Sequence, residues 1–116
     1  MSITRLQTNV RLAGATIHAG LVYLSGQVPD DRTLDCASQT KQVLDKIDAL
    51  LMAAGTDKSQ VLVAQIWLKD IEKDFSSFNT VWEGWVAVGG PPARAAIQAE
   101  MASPEVLVEV MVTAAI

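Results

Sequence analysis

Hydrophobic residues recur along this chain with two different periods, and the order of those periods constrains the fold more than any other feature. In short segments apolar residues alternate with polar ones, whereas in two longer segments they stand three and four positions apart. The first pattern is typical of strands and the second of amphipathic helices. In chain order the segments predict β-β-β-α-β-α-β-β, which suits an α+β fold with two helices on one face of a single mixed sheet.

The predicted strands are short and are bounded by turn-forming residues. Gly14 and Gly20 flank the second strand in the way expected of a hairpin. The turn-dense segment 26–31 ends the first group of strands. In full, the predicted strands cover residues 1–7, 15–19, 21–25, 61–69, 93–100 and 106–115.

Two helices are predicted between the strands. The first begins at Ala37, and Gly55 is expected to end it in the left-handed conformation. Its apolar stripe comprises Val43, Leu44, Ile47, Leu50, Leu51 and Ala54. The second helix has Asp74 as its expected N-cap and is expected to end at the segment 89–92. Its stripe is aromatic and comprises Phe75, Phe78, Trp82 and Trp85.

The length and composition predict one small domain whose sheet is covered on both faces. The chain has 116 residues, which is an ordinary size for a single domain spanning residues 1–116. Its hydrophobic content is 50% and its mean hydropathy is +0.26, which is apolar for a short chain. Because two helices cover only one face of the sheet, we expect the other face to be buried against further copies of the chain.

Charge and cysteine content exclude several classes of function. Nine basic against 13 acidic residues give a net charge of −4, whose sign disfavours nucleic acid as a main partner. The single cysteine, Cys36, excludes an internal disulfide, and the single histidine, His18, leaves no cluster with metal-ligand spacing. No apolar run approaches the ~20 residues needed to cross a bilayer, and no signal peptide is recognisable. We therefore expect a cytoplasmic protein with no metal, no other cofactor and no membrane contact.

Arg94 is the strongest candidate for a functional residue. It follows Pro91 and Pro92 and begins a strand, on the face opposite Ala93 and Ala95. An arginine presents a planar fork of donors that matches a carboxylate with two parallel hydrogen bonds, and it stays charged near neutral pH. Capture of a substrate carboxylate and a structural ion pair at an interface are both compatible with the pattern.

Glu109 interrupts an otherwise apolar strand, where a carboxylate is costly unless it is paired or hydrogen-bonded. If the last two strands form an antiparallel hairpin across the segment 101–104, their register sets Glu109 beside Arg94 on one face. We therefore expect a largely buried Glu109 within hydrogen-bond reach of Arg94, directly or through one water. A buried ion pair without any catalytic role would produce the same pattern. His18 is interpreted as a surface or turn histidine, since no Ser, Cys or Asp stands at triad-like positions. Cys36 lies at the start of the first helix, where the dipole could lower the pKa of its thiol, but it is interpreted as structural because unreactive cysteines are more common.

Four segments together resemble the RidA/YjgF family in order and spacing, and the similarity covers nearly the whole chain. The more specific of them are the Pro-Ala-Arg segment and the glutamate fifteen residues after the arginine. The segments are Gly26-Gln27-Val28-Pro29, Phe78-Asn79 with Trp82-Glu83, Pro92-Ala93-Arg94 and Val108-Glu109-Val110.

The resemblance implies a chorismate-mutase-like fold and a homotrimer whose three sheets line a central barrel, with ligand clefts between subunits. It also implies hydrolytic deamination of reactive 2-enamine and 2-imine carboxylates to 2-oxo acids and ammonia. In that reaction Arg94 would hold the substrate carboxylate and Glu109 would orient or activate the attacking water. Asn79 and Ala96 would belong to the substrate-binding site.

Two departures from the family pattern bear on substrate range. Many relatives have a cysteine at the position of Ala96, and their N-terminal tyrosine has no clear counterpart in the segment 11–14.

Two other functions remain open: a non-catalytic trimer that binds small carboxylate metabolites, and an RNA-cleaving or translation-inhibiting protein. The acidic composition disfavours the second of these.

Overall fold

The computed structural model describes residues 2–88 and 90–116, and in them one mixed sheet carries two α-helices on one face. The α+β fold and the predicted order of elements are confirmed. Met1 and Gly89, which fall in the predicted first strand and in the predicted end of the second helix, lie outside the described residues. The strands are β1 (Thr4–Thr8), β2 (Ala13–His18), β3 (Leu21–Leu24), β4 (Val61–Leu68), β5 (Ala93–Gln98) and β6 (Val108–Ala115). The helices are α1 (Cys36–Ala53) and α2 (Ile71–Trp85), with a short 3-10 helix at Lys58–Gln60.

Helix α1 has the boundaries that its end residues favour. The Asp35 side chain accepts a hydrogen bond from the Ser38 backbone N–H at 2.9 Å and so satisfies one free donor of the first turn. Beyond the last turn Gly55 has φ +89°, a value that glycine adopts without steric cost, which confirms the prediction.

Helix α2 begins earlier than the sequence pattern predicted, so the assignment of Asp74 as its N-cap is wrong. The cap is Asp70, whose side chain accepts from the Lys73 backbone N–H at 3.1 Å. Ile71 extends the apolar stripe one turn before Phe75, which brings the helix start back to the end of the preceding strand. Asp74 is instead buried in the first turn, where its negative charge favours the positive end of the helix dipole.

The core lies between the helices and one face of the sheet. The strand order is β1-β2-β3-β6-β4-β5, and only β4 and β5 are paired in parallel. Alternate residues of the central strands β4 and β6 are fully buried under the helices, including Ala64, Ile66, Val110 and Val112. Full burial of a valine or isoleucine side chain stabilises a fold by about 1.5–3 kcal/mol relative to exposure.

The predicted hairpin between the last two strands does not form. Strand β6 lies between β3 and β4, and β5 reaches the far edge of β4 through the α2 crossover. The composition of the two strands explains their places in the sheet. Strand β6 occupies the centre because it is apolar along the face that the helices cover. Strand β5 lies at the edge because it places Arg94 and Gln98 on that face. The segment 99–107 that joins the two strands is also longer than a hairpin loop.

The second face of the sheet, called here the open face, has no helix on it. The chain measures 44 × 37 × 20 Å along its principal axes, and the thin dimension matches one sheet plus one helix layer. Large apolar side chains stand exposed on the open face: Tyr23, Val63, Ile97 and Met111.

Candidate functional site

Arg94 lies at the start of the edge strand β5 and faces the helix layer. In the parallel register it stands beside Ala64, a residue buried under the helices. Its guanidinium Nη2 donates a hydrogen bond to Asn79 Oδ1 at 2.8 Å. Because β5 is an edge strand, Arg94 remains exposed although it faces this layer.

Three aromatic rings of α2 surround the Arg94 guanidinium. Its Cζ atom lies 5.5 Å from the ring centroid of Trp82, 5.9 Å from that of Phe75 and 6.0 Å from that of Phe78. These three residues are called the aromatic wall. Ring faces attract a cation at such distances because of their quadrupole. The helical spacing that produced the predicted stripe brings all three rings to one side of α2.

Among the side chains that the structure describes, no carboxylate forms a salt bridge with Arg94; the salt bridges join Lys41 to Asp45 and Lys46 to Asp30. An arginine has five N–H donors, and the described residues accept from one of them. The guanidinium therefore keeps its charge and most of its hydrogen-bonding capacity for a ligand.

Asn79 and Ala96 flank Arg94 on different elements. Asn79 is half-buried on α2 and holds the guanidinium through its amide oxygen. Ala96 follows Arg94 by two positions, so it lies on the same face of β5, where it packs at the margin of the core. The structure thus brings three of the four predicted site residues together.

Glu109 lies on the other side of the sheet. It stands beside Trp67 in the register of β4 and β6, and its neighbours along β6, Val108 and Val110, point into the helix layer. Glu109 therefore projects from the open face. Within one chain Glu109 and Arg94 are on opposite faces, so the expectation of direct or one-water contact between them is wrong, because it depended on the hairpin that does not form.

The Glu109 carboxylate rests against the backbone of Gly26. A Cβ atom added to Gly26 would overlap Glu109 Oε2, so the end of the Glu109 side chain would have to move away from the turn. Partial burial without a bonded cation raises the pKa of the Glu109 carboxyl above its usual range. Glu109 is half-buried rather than largely buried as predicted.

Gln27 fixes the turn that carries Gly26. Its backbone exchanges hydrogen bonds with Val110, at 2.8 Å and 3.1 Å, which joins the turn to β6 next to Glu109. Its side-chain amide donates to the backbone oxygen of Ser25 at 3.1 Å and to the Ser25 hydroxyl at 3.2 Å. The Ser-Gly-Gln segment therefore determines the shape of the surface on which the carboxylate lies.

His18 and Cys36 stay apart from both groups. The His18 Nδ1 atom lies 3.2 Å from the Ser2 backbone oxygen near the edge of the sheet. Cys36 is only 3% exposed, and burial together with the nearby Asp74 carboxylate raises the pKa of its thiol to about 11.

The described residues 2–88 and 90–116 contain no group of His, Cys, Asp and Glu side chains that could hold a metal ion. In the same residues, no helix has both the length and the apolarity that crossing a bilayer requires. Two surface grooves of about 490 Å³ and 370 Å³ lie elsewhere, and neither is lined by Arg94 or Glu109.

Sequence comparison decides the family. Residues 2–116 match the protein family described as Endoribonuclease L-PSP. The chain belongs to this family. A RutC family protein from Haemophilus ducreyi is 42% identical over 114 residues, which cover 98% of this chain and 97% of the relative. Escherichia coli YoaB, also a RutC family protein, is 36% identical over 116 residues and 100% of both chains.

Solved structures of the same family share the fold. A member of the YjgF family from Neisseria meningitidis superposes with a TM-score of 0.94 at 42% identity, covering 99% of this chain and 95% of its own. The Rid family protein YyfA from Yersinia pestis gives a TM-score of 0.88 at 26% identity, covering 99% and 100%. The resemblance to the RidA/YjgF family that the sequence motifs indicated is confirmed.

Proposed function

We propose that this protein hydrolyses reactive 2-enamine and 2-imine carboxylates to 2-oxo acids and ammonia. The observation that carries the proposal is the state of Arg94: a guanidinium held by one amide and three ring faces, with no carboxylate paired to it among the described residues. Such a group is prepared to bind a planar carboxylate through two hydrogen bonds. Membership of a family with RutC, YjgF and Rid members supports this reading.

The proposal places the site between subunits of a homotrimer. One chain has Arg94 and Glu109 on opposite faces, so the two act on one substrate only if Glu109 of a neighbouring protomer approaches Arg94. The exposed apolar residues of the open face supply a reason to associate, because burying them removes apolar surface from water. Three sheets packed through these faces would enclose clefts that a single chain leaves open.

The chemistry needs little beyond positioning. The carbon of a protonated imine is already electrophilic, so a water held beside it adds to the C=N bond and gives a carbinolamine. Glu109 accepts a proton from that water, and the proton is returned to the nitrogen, which leaves as ammonia while the C=O bond of the 2-oxo acid forms. The raised pKa of the Glu109 carboxyl suits a group that must accept a proton. We propose a cytoplasmic location, where enzymes that use pyridoxal phosphate release such imines.

Substitution of Arg94 tests the proposal. We expect Arg94→Ala to lower kcat/KM for short 2-imino acids by roughly 30- to 1000-fold, since a charge-assisted bidentate contact is lost. Arg94→Lys keeps the charge but not the planar fork, so it should recover only a small part of the loss. The assay generates the imine with an amino-acid oxidase and measures ammonia release, with Tm recorded for each variant.

The same assay separates the competing functions. Wild-type turnover that survives in both Arg94 variants would contradict the deaminase site. Binding of 2-oxo acids without any ammonia release would identify the protein as a carboxylate binder. A Salmonella typhimurium relative, 34% identical, is described as a putative translation initiation inhibitor, but the net charge of −4 gives that function no support in this chain.

A further inference from the structure

We propose that Trp82 is a positioning residue of the carboxylate site: its indole face sets the plane of the Arg94 guanidinium. This inference rests on the proposed function and goes beyond it by assigning a task to a residue that the reaction does not itself require. Of the three rings in the aromatic wall, Trp82 lies closest to Arg94 Cζ, at 5.5 Å.

The aromatic wall is rigid where it meets Arg94. Trp82 is 5% exposed and Phe78 is fully buried, and their rings stack with centroids 5.9 Å apart and planes inclined by 25°. Side chains in close-packed cores keep single rotamers. Trp82 therefore presents a fixed surface, whereas Phe75, at 38% exposed, closes the outer side of the wall.

The hydrogen bond to Asn79 does not fix the guanidinium by itself. One contact from Nη2 to Asn79 Oδ1 leaves the group free to pivot about that bond. A ring face with its centroid 5.5 Å from Arg94 Cζ restricts this freedom, because the ring quadrupole attracts the cation toward positions over the face. The amide and the ring together hold the remaining donors in a constant direction.

Holding an arginine with rings rather than a carboxylate has a chemical consequence. A carboxylate neighbour would orient the guanidinium equally well, but it would occupy the donors and neutralise the charge. An aromatic ring attracts the cation without accepting its N–H donors. Trp82 therefore orients Arg94 and leaves it able to bind a substrate anion.

Substitution by phenylalanine tests this role, and Trp85 supplies a matched control. Trp85 lies on the same helix with 8% exposure, and its ring packs 5.4 Å from that of Trp82, so that Trp85→Phe keeps a ring at this contact. Its indole N–H donates to Asp48 and its ring faces Lys58 rather than Arg94. We expect Trp82→Phe to raise the Kd of pyruvate and the KM for 2-imino acids by about 3- to 10-fold while kcat changes less. Trp82→Leu should raise both further, and Trp85→Phe should lower Tm without changing either.

Side-chain NMR of Arg94 gives a readout that does not depend on turnover. The Arg94 Nε–H signal, assigned by its loss in Arg94→Lys, should carry a ring-current shift that Trp82→Leu changes and Trp85→Phe retains. An unchanged signal in Trp82→Leu, or equal effects of Trp82→Phe and Trp85→Phe on the Kd of pyruvate, would overturn the positioning role. A wild-type protein that neither binds pyruvate nor releases ammonia would instead reject the proposed function itself.

Discussion

At the residue scale, the absence of a side chain at Gly26 provides the space in which the Glu109 carboxylate lies. Gly26 leaves space beside β6, and the carboxylate occupies it without a bonded cation among residues 2–88 and 90–116. Burial then raises the pKa of the Glu109 carboxyl. A raised pKa means that the protonated form fits the fold better than the charged form.

The raised pKa of the Glu109 carboxyl leads to a prediction of how stability changes with pH. The stability that Glu109 contributes is fully present below the pKa that its carboxyl has in the unfolded chain. It is lost as pH rises through the higher pKa that the carboxyl has in the folded chain. As long as no cation of another subunit pairs with Glu109, Glu109→Gln, which stays neutral, should therefore raise Tm near pH 7.5, by a few degrees at most because the group is partly exposed, and the gain should shrink toward about pH 4.5. Thermal melting at several pH values measures this.

Glu105 supplies the control for that experiment. A hydrogen bond from the Ser103 hydroxyl lowers the pKa of this exposed carboxyl, so Glu105→Gln should not raise Tm at neutral pH. If Glu109→Gln instead melts below the wild type, a positive charge from another subunit must pair with Glu109 in the assembly.

The sequence offered candidate site residues but did not predict their arrangement. Arg94 and Glu109 are recognisable because each is a charged residue in an apolar strand, and Asn79 because it belongs to a family motif. Their positions relative to one another depend on strand order, which alternating hydrophobicity does not encode. The contact between Trp82 and Arg94 was missed because an aromatic stripe on a helix is most simply interpreted as core.

At the element scale, Gln39 joins α1 to the segment before β6. Its side-chain amide donates to the backbone oxygens of Leu34 and Glu105, both at 3.0 Å, and its Oε1 accepts from the Leu107 backbone N–H at 2.8 Å. The residue is fully buried, yet nothing in the sequence pattern distinguished it from other polar residues on the helix. Only the folded chain brings residues 39 and 107 together.

Removal of this amide should be costly. Gln39→Leu has a similar volume but leaves buried backbone groups without partners, and we expect it to lower the free energy of unfolding by roughly 2–4 kcal/mol. Urea denaturation should show a lower midpoint with an unchanged m-value. Gln42→Leu, on the same helix, removes one exposed hydrogen bond to the Asp31 backbone N–H and should cost less than half as much. Equal effects of the two substitutions would contradict the role assigned to Gln39.

The positions of the strands were predicted better than their pairing, because position depends on local geometry and pairing does not. The alternating segments predicted each strand to within a few residues, because period two follows from the local geometry of the chain. The pairing of β6 between β3 and β4 is a long-range choice, made by which strand best fills the centre of the sheet. The composition of β5, with Arg94 and Gln98 on the covered face, was the available signal that this strand lies at an edge.

At the scale of the whole molecule, the open face leads to a prediction about assembly. We expect light scattering to give about three times the 12.4 kDa of the chain at micromolar concentration. Val63→Lys places a charge on the open face and should shift the protein toward smaller species, with loss of the proposed deaminase activity. Met52→Lys changes an even more exposed apolar residue on α1, outside the open face, and should leave the mass unchanged. A monomeric wild type over this range would contradict both the trimer and the cleft between subunits.

The buried Cys36 makes the protein convenient for spectroscopy. Labelling reagents such as maleimides attack the thiolate, and a thiol that is 3% exposed with a pKa of about 11 reacts slowly. Because the chain has one cysteine, a second one introduced at an exposed position such as Ser76 on α2 would be the only fast-reacting thiol. A fluorophore or spin label could therefore be attached beside the aromatic wall while the native cysteine stays in place.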